Sequence, residues 1–417
     1  MASAPPPRMR LYTTLGMYAT AIAGCLSGAS ESSDDVAMFE RAVSERLQLP
    51  HAIAAPMARV GIYFVVRALI RPGQKVILSP YTIADVVNMV VCAGGIPVFA
   101  DIDRDTCNIS ARQVEQLIDA DTGAVLVTHF YGLACDIEQI ADICSRRGVP
   151  LVEDAAQALG TRVNGRAVGT FGQAGIFSFG LYKNVNSFLG GMIVTRDADL
   201  RKRLADSLAP LPLQSRISFL KKVMNGIATD IATFPPLFKA FTFWIFRYAY
   251  MHDIRSLNNK LAIDVDPKLI REIPKDYLAR MTSFQARMAL SQLESIESDT
   301  EIRIRAAQAY HEGLKDLDGL LLPPMRTDHS HIYTYYPIQY RDREKLVGYA
   351  MEHFRDISLS HHRNCAALPC FAEFARDCPN AEATSRSLIY LPTYPAYGLK
   401  EVDKNIRVIR RFFGREH

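Results

Sequence analysis

Val149-Pro150-Leu151-Val152-Glu153-Asp154 and, further on, Phe177-Ser178-Phe179-Gly180-Leu181-Tyr182-Lys183-Asn184 are the stretches that decide the fold. Each opens as an apolar run short enough for a buried strand and closes on polar groups. The same texture recurs outward from them. Lys75-Val76-Ile77-Leu78-Ser79 reads as a strand and Asp85 to Cys92 as a helix. Pro97-Val98-Phe99-Ala100-Asp101 and Ala124-Val125-Leu126-Val127-Thr128 are further strands. Ile137 to Arg147 reads as a helix leading into the strand that ends at Asp154, and Met192-Ile193-Val194-Thr195 completes the set. Short strands alternating with amphipathic helices predict a doubly wound α/β domain. Ligands of such sheets collect beyond the carboxyl ends of the strands, where Asp154, His129 and Ser178 stand.

The 417 residues suffice for a large domain and a smaller one. A net charge of +4 without a long basic block gives no electrostatic support for nucleic-acid binding. The eight cysteines are scattered with no zinc spacing, so no metal site is expected and reduced thiols in a cytoplasmic protein are. Arg8 and Arg10 precede an uncharged stretch, Leu11 to Ser30, in the order of an export leader. Thr13, Thr14, Gly16, Tyr18, Thr20 and Gly24 make it too polar for a membrane span, so an N-terminal arm and helix over 1–49 is the expectation.

A large domain is expected over 50–282 and a small one over 283–417, with an apolar insertion at about 203–275. Within the insertion, Ile217 to Met251 is rich in aromatic residues, including Trp244, and carries or adjoins Lys221, Lys222, Lys239, Arg247 and Arg255. Pro235-Pro236 breaks any single spanning helix. Two readings stay open: a buried helical pair or dimer contact, or a half-inserted element whose basic and aromatic rim suits anionic headgroups at a membrane surface. Beyond it, Ser283 to Leu317 reads as one long helix with Phe284, Met288, Leu290, Leu293 and Ile296 on its apolar side. A strand over Ile332–Gln339 and helices over Glu344–Phe354 and Val402–Phe413 complete an α+β pattern.

Lys183 following a strand-end acid is the pairing that pyridoxal phosphate chemistry needs. The amine forms a Schiff base with the cofactor aldehyde, and the acid keeps the pyridine nitrogen protonated so that the ring accepts electrons from a substrate carbanion. Taken singly, Asp154 reads as a helix N-cap, Ser178 as a strand-end hydroxyl and Lys183 as a loop cation. Their order along the chain is the stronger signal.

That order is filled in by Arg71-Pro72-Gly73, Ala93-Gly94-Gly95-Ile96-Pro97-Val98-Phe99, His129-Phe130-Tyr131-Gly132, Glu153-Asp154-Ala155-Ala156-Gln157, Phe177-Ser178-Phe179 with Lys183, and Arg280-Met281 with Gln285. In this sequence they resemble the DegT/DnrJ/EryC1/StrS family of sugar aminotransferases. The resemblance implies the fold type I architecture of aspartate aminotransferase, with a mainly parallel seven-stranded sheet in the large domain and a smaller C-terminal α+β domain. It assigns Asp154 to the pyridine nitrogen, Gln157 to the phenolic oxygen or ring face, Ser178 to the phosphate and Lys183 to the aldehyde carbon. It implies transfer of an amino group, with glutamate the expected donor, to a keto-sugar carried on a nucleotide or a lipid, in cell-surface polysaccharide or amino-sugar synthesis. Two half-reactions with ping-pong kinetics and a homodimer go with it.

Several positions depart from the family pattern. Ala58-Arg59 replaces Gly-Thr in the phosphate loop, and Leu278 replaces the asparagine that reaches phosphate from the partner subunit. Arg59, a forked donor, is the candidate replacement for that contact. Ile83 aligns with the aromatic residue that stacks on the ring, leaving Tyr81 as an alternative ring contact. Phe188-Leu189-Gly190-Gly191 replaces Gly-Glu-Gly-Gly, which suggests a less polar substrate. His129, Tyr131, His361 and His362 are the substrate-side candidates. A non-enzymatic homologue and a sugar dehydratase or lyase stay as alternatives; lysine rather than histidine at position 183 favours transamination.

Overall fold

The computed structural model describes residues 4–27, 33–252 and 266–415. Its centre is a seven-stranded sheet in the order His51–Ala55, Gly191–Thr195, Ala174–Ser178, Leu151–Asp154, Thr122–Thr128, Lys75–Leu78, Ile96–Phe99. The last five run parallel, and the first two are antiparallel. Every residue of Leu151–Asp154 and of Thr122–Thr128 is buried, which explains their nearly unbroken apolar runs. Helix Ala58–Leu69 lays Val60, Ile62, Val65 and Val66 into the core beneath, each worth about 1.5–3 kcal/mol of burial. It stops at Ile70, whose backbone is extended, two residues before Pro72 could no longer supply an amide. Helix Ile137–Arg147 ends at Gly148, in the left-handed conformation at φ 65°, and turns the chain into Leu151–Asp154. That turn sets Asp154 at the carboxyl end of a central parallel strand.

A second, antiparallel sheet orders Tyr336–Gln339, Leu388–Leu391 and Ser358–Leu359. Helices Ile296–Leu314, Arg343–Glu352 and Leu399–Phe412 cover it around Tyr310, Tyr336, Leu346 and Ile389. The strand expected over Ile332–Gln339 is confined to Tyr336–Gln339. Before it, Ile332 and Thr334 donate their backbone N–H groups to the carbonyls of Gly132 and Tyr131, so this backbone is spent on tying the second unit to the first.

The single helix expected over Ser283–Leu317 is likewise corrected. A capping box of Thr282 and Gln285 starts helix Ser283–Leu290, a 3-10 turn at Leu293–Ser295 redirects the chain, and helix Ile296–Leu314 follows. Ala286, Ala289, Leu293 and Ile296 pack with Phe39, Val43 and Phe179 beside the large sheet, whereas Ile304, Ala307, Tyr310 and Leu314 pack with the small one. One apolar stripe serves two cores.

At the N-terminus, helix Leu15–Ser27 packs Met17, Ala21 and Cys25 against Phe219 and Val223 of helix Arg216–Ala232. The double proline separates that helix from the next. Pro235 begins a second run, Pro235–Leu237, widened into a π-turn at Phe238–Thr242 and continued as Phe243–Met251. No helix among the described residues is long and apolar enough to cross a membrane. Arg255, counted with this segment's cations, lies outside the described residues.

Candidate active site

A cavity of about 410 Å3 opens where the two sheets meet, beyond the carboxyl ends of the central strands. Asp154, Gln157, Ser178, Lys183, Arg59, Ile83, Tyr131, His361 and His362 line it, so most of the residues singled out in the sequence stand on one surface.

Asp154 is 5% exposed. Its Oδ1 accepts the Ala156 N–H at 3.0 Å and its Oδ2 the Thr128 hydroxyl at 3.4 Å, but no cation forms an ion pair with it among the described residues. Burial raises its pKa; the Ala156 amide and the charge of Lys183 pull it back. Lys183 shows the mirror effect. Burial lowers its pKa, Asp154 raises it and Arg59 lowers it further. Its ammonium makes no hydrogen bond or ion pair among the described residues.

The neighbouring acid, Glu153, faces the other way. Its carboxylate is fully buried and accepts the N–H groups of Gly169 at 2.6 Å, Phe171 at 2.6 Å and Gly172 at 2.7 Å, and Nε2 of His129 lies 3.1 Å away. Nδ1 of His129 accepts the Cys135 N–H at 3.2 Å, which places the ring proton on Nε2, toward Glu153. His129 is therefore corrected from a substrate-side group to a fully buried structural one that does not reach the cavity.

Tyr81 is corrected in the same sense. It sits behind the wall, its hydroxyl 2.9 Å from those of both Tyr131 and Ser360. From there a network runs on. Tyr390 lies 3.3 Å from the Tyr131 hydroxyl, 2.7 Å from that of Ser360, and 2.8 Å from Nδ1 of His362. Burial raises the tyrosines' pKa values and depresses that of His362 well below its usual value, so the network is uncharged at neutral pH. A two-residue ladder, Arg363 and Asn364 against Thr82 and Tyr81, carries His361 and His362 from the small unit to the large one.

The phosphate candidates differ in how they are held. Ser178 Oγ accepts the Gly180 N–H at 3.4 Å. Ala58 is the buried first residue of helix Ala58–Leu69, which has no side-chain cap; Ala58 itself is not part of the cavity wall. The helix's first N–H groups are thus available to an anion. Arg59 lines the cavity, but its guanidinium is paired with Asp85 and lies 5.6 Å from the centre of the Tyr277 ring. One arm of the fork is engaged, and other donors are left. Ile83 contributes an aliphatic contact, and Gln157 Oε1 accepts the Tyr131 N–H at 3.1 Å.

Phe188 explains one departure. It has φ 64°, a conformation that suits glycine and costs another residue about 1–3 kcal/mol. Tyr18 and Phe219 hold it, with ring centroids at 5.7 and 5.8 Å. Gly226 leaves room for it, since a Cβ there would lie 2.6 Å from the ring. Gln285 donates to the Leu189 carbonyl at 3.2 Å.

Sequence reasoning expected an N-terminal arm but not its place in the site. Arg8, Arg10 and Tyr12 line the cavity, anchored by Arg8 to Asp356 at 2.8 Å, by Arg303 to the Tyr12 hydroxyl at 2.8 Å, and by Tyr394 to the Pro7 carbonyl at 2.8 Å. The anchors lie hundreds of residues away, and the only local sign was a rigid Pro5-Pro6-Pro7 ahead of two cations.

The donor set fits pyridoxal phosphate. A buried carboxylate without a counter-ion suits a cationic ring nitrogen, and a desolvated amine suits an aldehyde. Residues 20–210 and 263–410 match the model of the DegT/DnrJ/EryC1/StrS aminotransferase family, leaving 211–262 unmatched. GDP-perosamine synthase of Vibrio cholerae is 40% identical over 158 residues, 38% of this chain and 43% of that protein's length. Spore coat polysaccharide biosynthesis protein SpsC of Bacillus subtilis is 26% identical over 397 residues, covering 92% of this chain and 91% of that one. Among solved structures, the aminotransferase TlmJ from Streptoalloteichus hindustanus superposes with a TM-score of 0.75 at 22% identity, over 99% of this chain and 98% of that one. Helicobacter pylori PseC, an aminotransferase involved in pseudoaminic acid biosynthesis, gives 0.75 at 18% identity, over 99% of both.

Proposed function

The chain belongs to the DegT/DnrJ/EryC1/StrS aminotransferase family, and from that premise we propose that it is a pyridoxal-phosphate-dependent aminotransferase acting on a keto-sugar in polysaccharide or amino-sugar biosynthesis, with glutamate as donor. The observation that carries this reading is the unpaired buried carboxylate of Asp154 sharing a cavity with the desolvated amine of Lys183. GDP-perosamine synthase and the spore coat polysaccharide protein support a sugar substrate. The apolar wall at Phe188 and Leu189 supports a carrier less polar than a nucleotide, such as a lipid.

Bound pyridoxal phosphate supplies an aldehyde and an electron-accepting ring. Asp154 would hold the proton on the ring nitrogen, Gln157 would contact the ring, and Ser178, Arg59 and the first amides of helix Ala58–Leu69 would hold the phosphate. Lys183 would be the neutral amine that holds the cofactor's aldehyde and would move a proton to and from the substrate carbon. Its lowered pKa enlarges the free-base fraction near neutral pH. The uncharged Tyr131–Tyr390–His362 wall offers hydrogen bonds to sugar hydroxyls without burying a charge.

In this reading Arg8, Arg10 and Tyr12 of the N-terminal arm line the site, the region from 50 holds the cofactor, and the C-terminal unit brings the histidines. The protein works as a homodimer in the cytoplasm, held peripherally at the inner face of a membrane. A spectral titration tests the reaction. Added pyridoxal phosphate should give a visible band that Lys183→Ala abolishes, and glutamate should bleach that band with release of 2-oxoglutarate. A band that glutamate leaves unchanged would point to a lyase or dehydratase, and no band at all to a non-enzymatic homologue.

A further inference from the structure

Ten of the sixteen large apolar side chains exposed among the described residues lie between Ile217 and Met251. The two helices there are not loosely attached. Phe219, Val223 and Gly226 face inward on Arg216–Ala232, against Tyr18, Phe188 and Phe284. Phe238 and Phe243 face inward on the second helix, against Ala4 and Met351, and Arg247 donates to the Met351 carbonyl at 3.2 Å. Each helix therefore has a defined outer face. On the first it carries Ile217, Met224 and Ile231, at helical spacing. On the second it carries Leu237, Phe241, Trp244, Ile245, Tyr248 and Met251, with Ile217 72% and Phe241 65% exposed. Two opposed stripes on one helix are the pattern of an element that is packed on one side and partnered on the other.

The charge around these stripes is one-sided. Arg216, Lys221, Lys222 and Lys239 are exposed on the two helices, Arg247 is turned toward Met351 and Phe354, and Asp230 is their only acid. Asp230 is turned inward, taking the Tyr18 hydroxyl at 2.7 Å and lying 3.7 Å from Arg10. A two-fold interface between copies of this chain would set this basic face against itself. An anionic bilayer complements it: lysine stems lie along apolar surface with their ammoniums in the headgroups, and tryptophan and tyrosine favour the same depth. The segment also falls in the stretch 211–262 that the family model does not match.

We infer that Arg216–Ala232 and Pro235–Met251 form a monotopic docking surface for a bilayer of anionic phospholipid, its apolar stripes sunk to the headgroup boundary and its cations on the phosphates. The inference rests on the peripheral placement proposed above and is independent of the reaction. Because Phe219 and Gly226 back the cavity residue Phe188, docking holds the cavity wall next to the bilayer, where a sugar on a membrane-borne carrier would be found.

Flotation of the full-length protein with vesicles tests it without turnover. The protein should float with phosphatidylcholine vesicles containing phosphatidylglycerol, stay down with phosphatidylcholine alone, and be released as salt rises. Lys221→Ala with Lys222→Ala should lower partitioning roughly 25-fold, about five-fold per cation. Phe241→Glu with Ile245→Glu should abolish it, and both pairs are solvent-facing, so the melting curve should not move. Failure of the wild type to float with either vesicle overturns the inference, as does flotation that neither pair weakens. Self-association without lipid binding, lost in Phe241→Glu with Ile245→Glu, would assign the face to a second copy instead and also overturn it.

Discussion

The cavity and the inserted helices invert the usual partition of a protein in opposite directions. The cavity buries an ionisable acid and an amine that form no ion pair. The helices Arg216–Ala232 and Pro235–Met251 expose apolar side chains that nothing among the described residues covers. Each arrangement costs stability, and nothing among the described residues offsets it. For the cavity the proposed complement is a cationic ring with an aldehyde; for the helices, a headgroup layer. The two regions also meet, since Phe188 lines one and packs on the other.

The largest test removes the amine. Lys183→Ala should cut turnover by about four orders of magnitude or more in a steady-state assay, because no other amine lines the cavity among the described residues. Asp154→Asn should lower kcat by roughly two to three orders of magnitude and yet raise the melting temperature of the cofactor-free protein at neutral pH. The sign follows from the raised pKa. The folded state holds the proton more tightly than the unfolded chain, so ionisation destabilises the fold above the folded pKa, and the penalty disappears below the ordinary carboxylate value of 3.8. A melting temperature that falls in Asp154→Asn would break the contrast between a functional and a structural acid.

Glu153 supplies the other half of that contrast. Glu153→Gln should destabilise the protein by about 3 kcal/mol in denaturant titration, since an amide cannot accept all the N–H groups converging on the carboxylate. Gly226→Val probes the junction of the two regions. It should cost about 1–3 kcal/mol through overpacking on Phe188 and raise KM for the sugar more than it lowers kcat. The smallest effect is electrostatic. Arg59→Ala, assayed at saturating cofactor, removes a positive neighbour of Lys183, so the alkaline rise in activity should move to higher pH by a fraction of a unit.

Adjacent residues Glu153 and Asp154 show how much of the site was legible. Strand alternation sends them to opposite faces, and order along the chain singled out Asp154, Ser178 and Lys183, which the fold brings to one cavity. His129 stood at a strand end like Asp154 and looked equally available. Only the Cys135 amide on its far nitrogen, and Glu153 beside it, remove it from the cavity. Tyr81 was misplaced for the same reason: the hydroxyls that hold it come from residues 131 and 360.

Local patterning by itself indicated alternating strands and helices, the strand-end acid and the lysine after it, and the order of the motifs carried the resemblance to the family, because periodicity and motif order are properties of short stretches read in sequence. Tertiary structure alone decided that the 283–317 stripe divides between two cores, that Phe188 rather than glycine occupies a left-handed position, and that residues 8–12 wall the cavity. These depend on contacts between distant segments, and a residue's spacing from its neighbours carries no record of which remote surface will fill the space beside it.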